Sequence, residues 1–392
     1  MNLRKGMDFV KKVKWIAISF IVFAVYFLEL VGIGFYHMKN EIVSNVHFEF
    51  FWHKSSQTYI IKGTNVSGKA LEDNGEMIDV VIPTKYHGRP VTHIGWDSFR
   101  ECQILRSVTI PEGIKGISAN VFFDCNNLES VHLPKSMRDF YGSSFASCNS
   151  LKEVTVDPDN PWFCSVDGVV YTKDKKELVF YPPGKEDVEF VVPEGCLVIG
   201  RRAIAYCENL KRIIISNTVT EISDESIDFC KGLEGVVVDE DNETYCSIDG
   251  NLYSKDMKKF LGFYVSTGNT NLTIPEGVVE IAECAASYCY NLTGINLPKS
   301  LTSIGDSSFV RCDNLTSVII PENVTFIGEG AFYKCNNLSS VVFEQTSGWS
   351  VEPQGGKFLS TKKLDKAKIN SSATAAKYVS ETYYSWEWHR EN

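Results

Sequence analysis

Apolar side chains return along this chain every 23 residues, and the polar positions between them return in the same rhythm. In the period from Leu128 to Leu151, Leu128, Val131 and Leu133 alternate with polar positions until Pro134, the pattern of a short strand buried on one face. A turn follows, and then a second strand-like piece carrying the recurrent Ile94, Ile117, Ile199, Ile222, Ile281, Ile304 and Ile327, with Phe140 in that slot of the third period. One helical turn closes each period. In it Phe99, Phe122, Phe145, Ile204, Ile227, Ala286, Phe309 and Phe332 stand three residues before Cys102, Cys125, Cys148, Cys207, Cys230, Cys289, Cys312 and Cys335, so both side chains face inward. Three residues after each Cys comes a Leu, from Leu105 to Leu338. No single period can bury this set alone, so the periods must stack as coils of an elongated solenoid.

Two coils are interrupted. Cys148 to Cys207 and Cys230 to Cys289 are each 59 residues apart instead of 23, an insertion of 36, near 157–192 and 239–274. The inserts match each other at Cys164-Ser165-Val166-Asp167-Gly168-Val169-Val170-Tyr171 and Cys246-Ser247-Ile248-Asp249-Gly250-Asn251-Leu252-Tyr253. Asp-Gly between alternating apolar residues predicts a tight hairpin, here leaving one edge of the solenoid. A terminal coil would expose its core, so both ends need caps. Strand patterns at Phe48–Trp52, Tyr59–Ile61 and Val80–Ile82 predict the first cap. At the other end a strand at Gly348–Val351 and a helix over 373–383, capped by Ser372, leave Trp386 and Trp388 to close the core.

Ahead of the caps, residues 1–14 carry Arg4, Lys5, Lys11, Lys12 and Lys14 against Asp8, and Trp15 to Leu28 hold no charge. The stretch 15–36 is long enough to cross a bilayer as a transmembrane signal-anchor, and the basic flank places it with the rest of the chain outside. Cleavage as a signal peptide is the alternative, with Gly32-Ile33-Gly34 as the small-x-small site; the repeats would then be secreted. The expected organisation is a basic cytoplasmic segment (1–14), this span (15–36), a linker and β cap (37–81), the repeats (82–343) and a C-terminal cap (344–392). Net charge follows the same division, +3 over residues 1–36 and −13 over the rest. An acidic ectodomain does not fit nucleic acid.

The repeat, written as Ile320-Pro321-Glu322-Asn323-Val324-Thr325-Phe326-Ile327-Gly328-Glu329-Gly330-Ala331-Phe332-Tyr333-Lys334-Cys335, resembles the BspA-type leucine-rich repeat of bacterial surface proteins. The resemblance runs over residues 80–343. Tyr86-His87-Gly88-Arg89-Pro90-Val91-Thr92 is similar to the usual entry to a first repeat, and the tail through Ala375-Ala376-Lys377-Tyr378 to Trp388 to the end of such proteins. It implies a β-rich leucine-rich-repeat solenoid with short helical turns, surface attachment and adhesion, and it supplies no catalytic residues to carry over. Two positions depart from the pattern. Ala286 loses the aromatic, a gap that Tyr288 would fill, and Ser216 replaces the strand-ending Pro.

Of the twelve cysteines, eight occupy equivalent places in successive coils and should run side by side as buried thiols, and Cys196 fills an apolar slot. Cys164, Cys246 and Cys284 are open as to redox state. The histidines show no catalytic or metal pattern, and Asp157-Pro158-Asp159-Asn160 and Asp239-Glu240-Asp241-Asn242 read as turns rather than calcium loops. No cofactor, metal or enzymatic constellation is expected. The candidate binding surface is the outward row of the first strands, Thr109, His132, Thr155, Ile214, Val237, Asn296, Ile319 and Val342, with Arg106, Glu129, Lys152, Arg212 and Thr316 beside them, as one continuous sheet face. Two readings follow: adhesion to host or microbial proteins or glycans through that face, or an envelope spacer that self-associates. Oligomeric state is open.

Overall fold

Strand alternation and coil period together dictate which backbone groups meet, and the computed structural model describes the result for residues 41–43, 46–68, 77–264, 270–353, 362–383 and 385–390. The expected membrane span lies outside them. Among the described residues no helix is long and apolar enough to cross a membrane. Contacts gather into two compact units. One comprises the described residues up to Ala146 with Val156–Trp162, and the other comprises Ser147–Thr155 with the described residues from Phe163 onward.

In the first unit the cap is an antiparallel pair, Val46–His53 and Thr58–Thr64, longer at both ends than the apolar pattern predicts. Thr58–Thr64 hands over to the repeats in parallel register, Ile61 beside Ile94 and Ile94 beside Ile117. Phe50 stacks on Tyr86 at 4.0 Å, and the inward rings of Phe99, Phe122 and Phe145 stack in turn at 5.1 and 4.9 Å. These rings are fully buried and form the spine of the unit.

The second unit holds the second insertion and the first from Phe163 onward, and the 36 extra residues of each contain more than the hairpin expected. Each hairpin, Phe163–Val166 with Val169–Thr172 and Tyr245–Ile248 with Asn251–Ser254, turns at Asp-Gly with positive φ at both residues. A third strand then joins the coil ladder: Glu177–Phe180 pairs in parallel with Val198–Ile199, and Lys259–Gly262 with Glu280–Ile281. Each insert is thus a hairpin plus an abbreviated coil without a Cys. The second-strand ladder steps 21 residues from Lys259–Gly262 to Glu280–Ile281 and then 23 at a time through Ser303–Ile304 to Phe326–Ile327, where Trp386–Arg390 closes it in antiparallel pairing. Trp388 is buried there and Trp386 only half-buried. The predicted helix is present as an α-helix, Ser372–Lys377, that continues as a π-helical turn, Tyr378–Thr382, with Ser371 rather than Ser372 at its N-cap.

The predicted helical turn is a pair of tighter turns in most coils, a 3-10 turn at Gly142–Phe145 in the third, and carries a two-residue strand at Ile204–Ala205 and at Ile227–Asp228. The residue before each Cys (Glu101, Asp124, Ser147, Tyr206, Phe229, Tyr288, Arg311 and Lys334) lies at positive φ, between 53° and 62°. Parallel stacking favours that conformation, because it points the N–H at the next coil where one is in reach: Glu101 to the carbonyl of Phe123, Asp124 to Ala146, Arg311 to Tyr333. The cysteine behind it donates its S–H to the coil before: Cys125 to the Phe99 carbonyl at 3.1 Å, Cys312 to Ala286 at 3.2 Å and Cys335 to Phe309 at 3.1 Å. All twelve cysteines are free thiols.

Candidate functional site

Parallel register converts the outward slot of the first strand into rows of side chains. In the second unit Val191, Ile214 and Val237 stand side by side on Glu189–Val191, Arg212–Ile215 and Gly235–Val238. A separate four-stranded sheet aligns Thr273 with Asn296 and Ile319 with Val342. Val191, Val237, Ile319 and Val342 are 53, 44, 56 and 45% exposed, so the rows offer apolar surface to solvent. Ile214, flanked on both sides, is half-buried, as is Thr155. Val191 escapes a reading anchored on Cys because it belongs to the abbreviated coil. Val81, 49% exposed and beside Thr109 in the first unit, escapes it because it belongs to the cap.

The charged members of the face are engaged with their neighbours. Arg106 donates to Asp79 (Nε to Oδ1 2.9 Å), and this bond, followed by one from Ser107, holds the Asp79 carboxyl down to about 2. Arg212 pairs with Glu189 at 2.9 Å and Lys152 with Glu186 at 2.6 Å. Asn296 donates to the Thr273 hydroxyl at 3.0 Å. Glu129, His132 and Thr316 are exposed.

The face is not continuous, contrary to the sequence expectation. Within the second unit the hairpin closes the edge of Gly235–Val238. Val236 N–H donates to the Gly250 carbonyl at 2.9 Å and Val238 N–H to Ser247 Oγ at 3.0 Å. Gly235 sits at φ 155°, and a Cβ there would lie 2.6 Å from Gly250 Cα, so this crossing needs two glycines.

On the turn side of the same break lies a cleft of about 830 Å³ that the sequence did not disclose. Its origin is a length mismatch. Five residues separate Ile281 from the inward slot at Ala286, but only three separate Phe260 from the equivalent Phe263. The turn ending in Cys230 therefore meets a shorter neighbour. In the coil before it, the N–H groups of Arg202, Ile204 and Tyr206 donate to the carbonyls of Glu225, Ser226 and Asp228. In the coil after the break, those of Cys284, Ala286 and Tyr288 donate to Asp306, Ser308 and Val310. The corresponding groups at the break are Glu225, Ile227 and Phe229. Phe229 N–H is taken by the Asp228 carboxylate at 2.9 Å, and those of Glu225 and Ile227 have no partner among the described residues.

Tyr288 does not fill the space at Ala286. Its ring packs on Phe229 at 4.7 Å, and both line the cleft with Tyr264, Asp224, Glu283 and Cys284. Burial, then the neighbouring Asp224 and Asp306, push the Glu283 carboxyl up. Burial, then the carboxylates around it, push the Cys284 thiol up to about 12. Asp228 is pushed up to about 7, chiefly by burial and secondarily by Glu225, against the Phe229 N–H that favours its charge. An unfolded Asp titrates near about 4, so between pH 4 and 7 the native chain keeps a proton that the unfolded chain has released, and stability falls as pH rises through that window. Asp228→Asn is expected to melt with the parent near pH 4 and above it past pH 7; equal melting temperatures at both pH values would contradict the burial of this charge.

The other candidates make local contacts. Cys164 and Cys246 donate to the carbonyls of Thr172 and Ser254 at 3.4 Å, inside their hairpins. His93 lies 3.4 Å from Asp139. Asp157 and Asp239 accept from the N–H two residues on, Asp159 at 2.8 Å and Asp241 at 2.9 Å, which is a turn geometry. No group of three His, Cys, Asp or Glu among the described residues is placed to hold a metal.

The BspA type leucine rich repeat region matches in six copies, over residues 64–161, 184–255 and 261–381. None of the curated proteins matches the chain. Among solved structures, a leucine-rich repeat protein from Eubacterium ventriosum is 17% identical, with 83% of this chain and 98% of that one covered at a TM-score of 0.43. A leucine rich cell surface protein from Faecalibacterium prausnitzii is 20% identical over 78% and 88%, TM-score 0.38. The pneumococcal vaccine antigen PcpA is 16% identical over 79% and 82%, TM-score 0.41.

Proposed function

This chain belongs to the BspA-type leucine-rich repeat family, and on that premise we propose that it is a non-enzymatic surface protein that binds host or microbial macromolecules through its first-strand face. Residues 15–36 tether it to the membrane in this reading, with the repeats outside. The carrying observation is the line of exposed aliphatic side chains, Val191 and Val237 in one sheet, Ile319 and Val342 in the other. Exposed β-branched residues suit a strand on propensity alone. Their alignment across neighbouring strands adds a short apolar row in each of the two sheets, which a solvated sheet does not need and a docking surface does.

The test is a binding assay of the full chain against immobilised extracellular-matrix proteins and mucin glycans. Ile319→Lys with Val342→Lys is expected to reduce retention at least about tenfold, since two central apolar contacts are each worth on the order of 1 kcal/mol or more. Both side chains point outward, so the circular dichroism melt should be unchanged. Retention equal to the parent would remove this face from consideration, and loss of retention only through self-association would favour the spacer reading.

A further inference from the structure

We propose that the cleft beside the Cys230 turn is a docking site for an extended basic peptide, which pairs with the open edge at Ile227–Asp228 and sets an arginine or lysine among the cleft's carboxylates. This site is separate from the first-strand face and does not depend on it.

The backbone argument comes first. Ile204–Ala205 and Ile227–Asp228 form a two-stranded parallel sheet, in which Ile204 N–H donates to the Ser226 carbonyl. In a parallel ladder this leaves the N–H and C=O of Ile227 facing away from Ile204, toward the side where a next coil would stack. The abbreviated coil does not reach them. An open edge of this kind is a template for one more strand, and a peptide backbone supplies both the acceptor and the donor it lacks.

Charge selects the side chain. Seven carboxylates line the cleft against Lys231 and Lys259. Lys259 is held by Glu280 at 2.7 Å and Lys231 by Glu208 at 3.4 Å, while Glu225 is held by Arg201 and Arg202 at 3.0 and 2.9 Å. Asp224, Asp228 and Glu283 have no ion-pair partner among the described residues. The rings of Phe229, Tyr264 and Tyr288 supply flat apolar walls for the stem of a basic side chain and for its charge. A volume of about 830 Å³ exceeds one side chain and suits a short stretch of extended chain. A metal ion is a poor occupant, because no three ligands converge among the described residues. An acidic glycan would meet like charge.

The probe is a fluorescein-labelled peptide of alternating threonine and valine with one central arginine, titrated into the full chain and read by anisotropy. Saturable binding is expected, weakened about tenfold or more by Asp228→Asn with Glu283→Gln, by glutamate in place of the arginine, and by N-methylation of the peptide backbone. Hydrogen exchange should slow at the amides of Glu225 and Ile227 when the peptide binds. Ile319→Lys with Val342→Lys should leave this titration unchanged, which separates failure of this site from failure of the face. Absence of saturation, indifference to both carboxamide changes, or unaltered exchange at Ile227 would overturn the proposal, as would competition by a neutral glycan in place of the peptide.

Discussion

Asn242→Ala is expected to lower the stability of the second unit by about 3–5 kcal/mol, because it leaves several buried backbone groups without partners, each worth about 1–3 kcal/mol. Asn242 is fully buried. Its Nδ2 donates to the carbonyls of Ser216 and Val219 at 2.9 and 3.0 Å, and its Oδ1 accepts from Thr244 and Tyr245 N–H at 2.9 and 2.8 Å. One side chain thereby ties the start of the insert to the turn of the coil before it. Asn160 does the same in the first unit, reaching the carbonyls of Pro134 and Met137 at 2.9 and 2.8 Å. Asn242→Asp keeps the shape but points a carboxylate at two carbonyls, so it should cost at least as much as alanine at pH 7 and less in acid, where a protonated Asp can donate once. Urea unfolding followed by circular dichroism gives the magnitudes. A loss under about 1 kcal/mol for Asn242→Ala would mean that water replaces the amide at little cost.

Phe309→Ala should cost a similar amount, about 3–5 kcal/mol, for the different reason that it opens a cavity in a close-packed row. The ring is fully buried and stacks on Phe332 at 5.4 Å. Because the two rings share one contact, the double substitution with Phe332→Ala should cost less than the two single losses added together. The discriminating quantity is that interaction energy, from denaturant melts of the four variants. Strict additivity would show that the rings are stabilised by their own coils and not by each other. The neighbouring coil carries Ala286 in the same slot, and a chain built by repetition tolerates such a vacancy only where the surrounding residues have been chosen around it.

Period, strand order and inward slots were legible because burial dictates residue type: only Leu, Ile, Val, Phe and Cys recur where the coils touch. The positive-φ position before each Cys was not, since Glu101, Tyr206, Arg311 and Lys334 have nothing in common but their place in the ladder. The abbreviated coils were hidden for two reasons: they lack the Cys and are two residues short at the turn. Asn160 and Asn242 stood in view as the ends of two matching tetrads, and the turn reading accounted for the Asp before them but not for a buried amide. The exposed row was read in part, with Val81 and Val191 missed. The cleft was beyond reach, because it arises from backbone groups that have lost a neighbour, and a missing neighbour leaves no mark on residue type.

Thiols such as Cys125, Cys312 and Cys335, each facing a carbonyl of the preceding coil, let the chain mature without an electron acceptor. The folded protein contains no disulfide, so reductant leaves its architecture alone. The unfolded chain is the opposite, twelve nucleophiles on one flexible strand. Refolding in air therefore competes with covalent scrambling, and the coils must close before an oxidant reaches them.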